Sequence, residues 1–348
     1  MQAAPSLRPE ISSDFRAEAL REIRAFTRDW TKRDDRLAAV SYGATFALYF
    51  STLWLAVALW PTAWLVALPL IAFNALMGVR LYVLQHDCGH GSLFSTKGRN
   101  DLAGHGLSIF TLTPYRVMQS NHNDHHSHLG NLDERETTEI FTMTLREWAA
   151  AGFWRRLWYR IYRNPLVMIP VGGLFTYVLA YRWPKNASRV DPKGVILHNL
   201  GLTAWVGLIW VIAGVTGVMV YAATVFVAAC IGVFLVYLQH NFEDTWWDRK
   251  PDLNPARAAL QGSSALDLGW WFDLAVANIT YHDIHHFNAN IPSYRLRACH
   301  RALREKYEVP TIGWAEALRS FTLKLWDEDQ GRLVTFPRKL SSAMARTA

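Results

Sequence analysis

Three stretches of this 348-residue chain lack Asp, Glu, Lys and Arg for far longer than a helix on a protein surface does. Leu37 to Trp60 is free of them for 24 residues, Pro61 to Val79 for 19, and Gly194 to Gln239 for 46. After Arg80 the apolar character continues to Gln85. A helix needs roughly 20 apolar residues to cross a bilayer core. The pattern therefore predicts four transmembrane helices in two hairpins, at about 37–60, 61–85, 194–213 and 215–239. The hairpin tips, Trp60-Pro61-Thr62 and Gly214-Val215-Thr216-Gly217, are short and uncharged, so nearly all the polar mass falls on one side. A signal peptide is not expected, because the first apolar run starts at residue 37 and is too long for an h-region.

Two further apolar runs are not read as spans. Asn164 to Tyr181 is uncharged over 18 residues, but Arg155, Arg156, Arg160 and Arg163 precede it and Arg182, Lys185, Arg189 and Lys193 follow. Positive residues gather on the cytoplasmic side, and here both flanks are positive. The run also holds Pro165, Pro170, Gly172 and Gly173, which suits a half-inserted or surface-lying element. Leu102 to Thr113 is too short to cross. In the N-terminal segment, residues 1–36, Phe15, Ile23, Phe26 and Trp30 fall roughly on one helical face, with Arg16, Arg21, Arg24 and Arg28 on others. That face fits the membrane interface or the chain's own polar domain equally well.

Composition removes several classes. Ample apolar content excludes disorder. Three cysteines (Cys88, Cys230, Cys299) without a CxxC pair exclude a disulfide scaffold and a thiolate zinc site. The net charge of +7 would suit nucleic acid or an anionic membrane, and the uncharged runs decide for the membrane.

Histidine carries the chemistry. His86-Asp87-Cys88-Gly89-His90 closes the second predicted span. His122-Asn123-Asp124-His125-His126 and His282-Asp283-Ile284-His285-His286 follow, and His240 ends the fourth span. Spacings of i, i+3 and i+4 bring side chains to one face of a helix. Imidazole suits Zn, Cu, Fe and Ni, and nine imidazoles exceed one ion's coordination, so two metals are the economical reading. His105, His128, His198 and His300, taken singly, read as structural residues. Asp87, Asp124, Asp244 and Asp283 are candidates to orient the imidazoles, or else helix caps and solvated carboxylates. No Glu-x-x-His set is present, which argues against a carboxylate-bridged diiron bundle.

These boxes, HxxxH, HxxHH and HxxHH, resemble the membrane fatty acid desaturase superfamily. Gly130-Asn131-Leu132-Asp133, Gln239-His240-Asn241-Phe242-Glu243-Asp244, and Tyr281 to His286 followed by Ile291-Pro292-Ser293-Tyr294, resemble its bacterial acyl-lipid, Δ12/ω6-like branch. The resemblance covers about residues 38–305. It implies an all-α integral membrane fold, four transmembrane helices under a cytosolic helical cap that holds a non-haem diiron site, with a membrane domain over 37–305 and a C-terminal cytosolic tail over 306–348. It carries the metal ligands onto His86, His90, His122, His125, His126, His240, His282, His285 and His286. An Asn that lies one turn before the extra histidine in the acyl-CoA branch is Val236 here, so Gln239, Asn278 or another group would substitute. The implied reaction is O2-dependent desaturation of a membrane-lipid acyl chain with two Fe ions. Electrons would come from a separate ferredoxin-like or cytochrome b5-like protein, and the active site would lie on the cytoplasmic side of a bacterial inner membrane. No nucleic-acid partner is expected. Hydroxylases, acetylenases, ketolases and alkane monooxygenases share related boxes and stay open as alternatives. A non-redox metal transporter or sensor is a remoter one, because the clusters lie outside the spans and no repeat is visible. Trp270, Trp271 and Phe272 are read as acyl-path or interface residues. Arg295 and Arg297 are read as contacts to phosphate head groups or an acidic donor.

Overall fold

The computed structural model describes residues 13–135, 140–182, 189–250, 252–307, 309 and 311–338, with side chains from residue 18 onward. It is mostly helical. Three helical elements are long and apolar enough to cross a membrane: Asp35–His90 (α2), Pro165–Arg182 and Pro192–His240 (α8).

The two longest fold back on themselves. In α2 the backbone leaves helical geometry at Ala63, next to Pro61. Beyond it the chain returns antiparallel: Asn74 donates to Tyr49 O at 2.5 Å and to Thr52 Oγ1 at 2.7 Å, and Arg80 donates to Thr45 Oγ1 at 2.9 Å and Ser41 Oγ at 3.1 Å. Polar groups among apolar neighbours need such partners, since no water is available to them. In α8 the reversal is at Gly214, with φ 60 and ψ −153, a conformation essentially restricted to glycine. Trp205 and Tyr221 then face each other across the second hairpin at 6.3 Å. The hairpins pack side by side, with Phe50 against Trp205 at 5.5 Å. Leu48, Leu55 and Leu65 on one and Leu200, Leu208 and Val211 on the other face outward and exposed. For a membrane protein that is the lipid-contacting surface, and the three apolar helices place this chain among membrane proteins.

The run from 165 to 182 is not a plain helix. Pro165–Leu174 (α7) passes into a π-helical stretch, Phe175–Leu179, and a short tight turn, Ala180–Arg182. It packs on α8 through glycine contacts: a Cβ on Gly173 would sit 2.8 Å from Ala229 O, and one on Gly232 would sit 2.5 Å from the Tyr177 hydroxyl. Lys185, in the positive flank that follows, lies outside the described residues.

Shorter elements gather at the end of the hairpins away from Ala63 and Gly214. They are Ser13–Arg28 (α1), Lys97–Thr111 (α3), Tyr115–His128 (α4), Leu145–Ala150 (α5), Phe153–Tyr162 (α6), Pro255–Gln261 (α9), Trp270–Ala275 (α10), His282–Phe287 (α11), Ser293–Arg304 (α12) and Trp314–Ser320 (α13). Helix α1 buries Ala19 and Ile23 in the main core. Phe26 and Trp30 pack against that core as well; the side chains of Phe15 and Arg16 lie outside the described ones.

Two differences from the sequence reading stand out. Two small sheets interrupt the all-helical picture: Ala265–Leu266 (β1) pairs parallel with Thr311–Ile312 (β2), and Leu325–Asp327 (β3) pairs antiparallel with Arg332–Val334 (β4). And the described residues of 311–338, set apart as a tail in sequence, pack against the rest of the chain. Leu325, Trp326 and Leu333 are buried, and Trp326 N–H donates to Met143 O. Fully buried Arg163 ties this region to the hairpins. It donates to Thr142 Oγ1 at 2.6 Å, Leu323 O at 3.3 Å and Asn241 Oδ1, next to His240.

Candidate metal centre

Each histidine box sits on a helix end that the sequence shapes locally. His86 and His90 occupy the last turn of α2, which Gly91 stops in the left-handed region (φ 67) by donating to Asp87 O and Cys88 O. The second box fills the last turns of α4. The third starts the six-residue α11. The turn that feeds it holds two non-glycine residues at positive φ, Ala277 at 51 and Asn278 at 61, a cost that persists only where the surroundings enforce it. Asp273 enforces it here by accepting from Thr280 Oγ1 and Tyr281 OH, each at 2.8 Å.

The nine predicted histidines converge in two groups. One holds His86, His90, His122, His126 and His285; the other holds His125, His240, His282 and His286. Within each group the candidate nitrogens lie within 4.8 Å of one another. The boxes therefore do not each build one site: the second and third are split between the two groups. The helix explains the split. At about 100° per residue, i+4 lies roughly 40° from i on one side, and i+3 roughly 60° on the other. His122 and His126 turn one way and His125 the other; His282 and His286 part from His285 in the same manner.

The nitrogen spacings fit a cation. His126 Nε2 lies 2.9 Å from His122 Nε2 and 3.1 Å from His285 Nε2. His282 Nε2 lies 2.9 Å from His286 Nε2 and 3.1 Å from His240 Nε2, and His286 Nε2 lies 3.1 Å from His125 Nε2. Ligands at right angles around an ion with metal–nitrogen bonds of about 2.1 Å would be about 3.0 Å apart. A neutral imidazole has one N–H and one acceptor nitrogen, so three or four facing Nε2 atoms do not satisfy one another as fully as a shared cation would. Burial favours the neutral form of seven of these rings, the form a ligand must take. It holds His126 down at about 3 and His240 at about 4, each from an ordinary value of 6.5. The rings of His90, His122, His282, His285 and His286 are also held well below that value, first by burial and then by neighbouring imidazoles.

The candidate orienting residues separate. Asp87 is buried with Oδ1 at 3.4 Å from His86 Nδ1. Asp283 is buried beside His300, Oδ2 to Nε2 at 3.4 Å. Both contacts are longer than a good hydrogen bond. Asp124 and Asp244 are exposed. Gln239 donates to Ile279 O at 2.7 Å and Asn278 to Ser293 O at 3.1 Å. The single histidines stay apart from both groups: His105 stacks near Tyr115, His128 contacts Glu134, His198 is buried in α8 and His300 pairs with Asp283. Asp273 and Arg163 escape the sequence reading. An acid or arginine embedded in apolar and aromatic sequence was their available signal.

A cavity of about 620 Å³ joins the histidines to the hairpins. It runs from Tyr49, Gly78 and Thr224 past Tyr82, Tyr177 and Val236 to His86, His122, His125, His240 and His282. That volume is typical of a small-molecule site, and its walls are mainly apolar and aromatic. Trp270 and Trp271 lie exposed on α10 and Phe272 is buried in the core; none of the three lines the cavity.

A membrane protein with two sets of converging imidazoles, buried or half-buried, beside an apolar cavity is a metalloenzyme of apolar substrates by class. The sequence comparisons narrow it further. The fatty acid desaturase family model matches residues 62–315, and the chain belongs to that family. It is similar to a fatty acid desaturase of Bacillus subtilis, 31% identical over 318 residues, which covers 91% of this chain and 89% of that one. It is also similar to the sn-1 oleoyl-lipid 12-desaturase of Synechocystis sp., 26% identical over 235 residues and 65% of each chain. The sn-1 acyl-lipid omega-3 desaturase (ferredoxin) of the same organism is 26% identical over 243 residues, 64% of this chain and 63% of that one. The enzyme is thus an oxidoreductase, a fatty acid desaturase.

Proposed function

We propose that the chain desaturates acyl chains of membrane lipids, with one Fe ion in each histidine group and O2 as co-substrate. The observation that supports this most is the apolar cavity that ends on members of both groups. In this reading the two hairpins are four transmembrane helices, the elements around the histidines form a cap on the cytoplasmic side of a bacterial inner membrane, and residues 164–181 line the cavity without crossing. His86, His90, His122, His126 and His285 hold one ion, and His125, His240, His282 and His286 the other. When bound, the irons supply the oxidising power that removal of hydrogen from an unactivated methylene demands.

The chain's own residues do the rest. Tyr82, Tyr177 and Val236 pack an acyl chain and hold it against the imidazoles while excluding water. Gln239, bonded to Ile279 O, stiffens the wall beside His240. Asp87 faces the Nδ1 side of His86, and a carboxylate there favours the Nδ1–H tautomer, leaving Nε2 as the ligand. The balance requires an outside donor. Two hydrogens leave the acyl chain, two electrons and two protons arrive from elsewhere, and O2 ends as two waters. A separate one-electron carrier, ferredoxin-like or cytochrome b5-like, supplies the electrons.

The test is the fatty-acid composition of membranes from aerobic cells expressing the wild type or His285→Ala at equal protein level. A new monoene or diene with the wild type alone is expected. A hydroxylated or acetylenic product would move the enzyme to a sister reaction. Purified protein holding stoichiometric zinc and no iron, with unchanged lipids, would overturn the reading.

A further inference from the structure

Helix α12 touches a carboxylate beside each histidine group. Its first residue, Ser293, donates its N–H to Asp87 Oδ2 at 2.7 Å, and Asp87 Oδ1 lies 3.4 Å from His86 Nδ1 of the first group. Two turns on, His300 Nε2 lies 3.4 Å from Asp283 Oδ2, and Asp283 directly follows His282 of the second group. These four residues are all buried.

The outward face of the same helix is cationic. Arg297, Arg301 and Arg304 recur at i, i+4 and i+7, which makes one stripe. Arg297 leans on Asp273 at 3.5 Å, while Arg301 and Arg304 are exposed. Surfaces of this protein that suit a bilayer look different: α6 exposes Phe153, Trp154 and Trp158, and α10 exposes Trp270, Trp271 and Leu274, as aromatic belts do. The α12 stripe has charge without such anchors, which fits a soluble partner better than lipid.

We propose that the Arg297–Arg301–Arg304 stripe is the docking face for an acidic one-electron carrier protein, and that α12 is the element through which electrons reach both histidine groups. This rests on the desaturase reading above, in which each turnover needs two single-electron deliveries, matched by two protons from solvent, to take O2 to two waters. Complementary charge of this kind raises encounter rates and fixes orientation, and salt weakens it.

The experiment uses the full-length, iron-loaded protein in nanodiscs of neutral lipid, with an acidic plant-type [2Fe–2S] ferredoxin as probe. Binding is measured as salt increases, for the wild type, Arg301→Glu/Arg304→Glu and Arg301→Lys/Arg304→Lys. The glutamate pair is expected to weaken binding at least tenfold and flatten its salt dependence, with iron content unchanged, while the lysine pair binds within a few-fold of wild type. Equal binding by the glutamate pair overturns the proposal, as does no ferredoxin binding by the wild type. A glutamate pair that binds ferredoxin normally but loses affinity for anionic phospholipid vesicles would assign the stripe to lipid and also overturn it. Iron content and dithionite-driven product formation by the wild type report separately on the desaturase reading, so the two can fail independently.

Discussion

Asp87 shows how one carboxylate bears on this centre. It is fully buried, and its Oδ1 lies 3.4 Å from Nδ1 of His86 in the first group. Asp87→Asn keeps the shape and removes the charge. The expected outcome is a loss of metal affinity of about 10- to 100-fold, read by competition with a chelator. The imidazoles make a second prediction. Unfolded histidines take up protons near pH 6.5, whereas folded His240 does so only near about 4 and His126 near about 3. Between those values the unfolded chain binds more protons, so stability of the metal-free protein falls as pH drops from about 6.5 toward 4. Denaturation midpoints of the apo-protein in detergent at pH 7.5, 6.5 and 5.5 should decline in that order; a flat profile would mean the rings are not held neutral.

At the scale of elements, the hairpins depend on how the chain reverses. Gly214 holds a backbone conformation that costs other residues about 1–3 kcal/mol. Gly214→Val should lower the thermal midpoint in detergent, while the same change at Gly207, where a Cβ would meet nothing within 4 Å, should not. These elements were legible because charge-free length and helical spacing are local properties. The tips near Pro61 and Gly214 and the helices under each box could be read from neighbours in sequence. What was not legible depended on distant pairing. The helix repeat parts i+3 from i and i+4, but which histidines of α4 and α11 then meet depends on how the two helices approach, which no local pattern encodes. Arg163 looked like one more flanking charge, yet its guanidinium meets Asn241 and Leu323 from far along the chain. The strands beyond residue 305 are too short, two or three residues each, to leave a periodic trace.

For the whole molecule, the C-terminal region is structural. Truncation after Glu305 would remove Ile312, Leu325, Trp326 and Leu333 from buried positions and strip partners from Tyr237 and Arg163. Burial of such side chains contributes roughly 1.5–3 kcal/mol each, comparable in sum to the net stability of a typical domain. The truncated chain should therefore fail to accumulate as a monodisperse species on size-exclusion chromatography, and a normal elution profile would show that the region is dispensable.

The sharing of α4 and α11 between the two histidine groups has a consequence for how the enzyme is assembled. If each group holds an ion, as proposed, filling either one would orient helices that also carry histidines of the other, so the first ion would prepare the place of the second. Loading should be cooperative. At limiting iron, native mass spectrometry should find chains with none or with two, and few with one, so a cell short of iron would hold fewer working enzymes instead of many half-built ones.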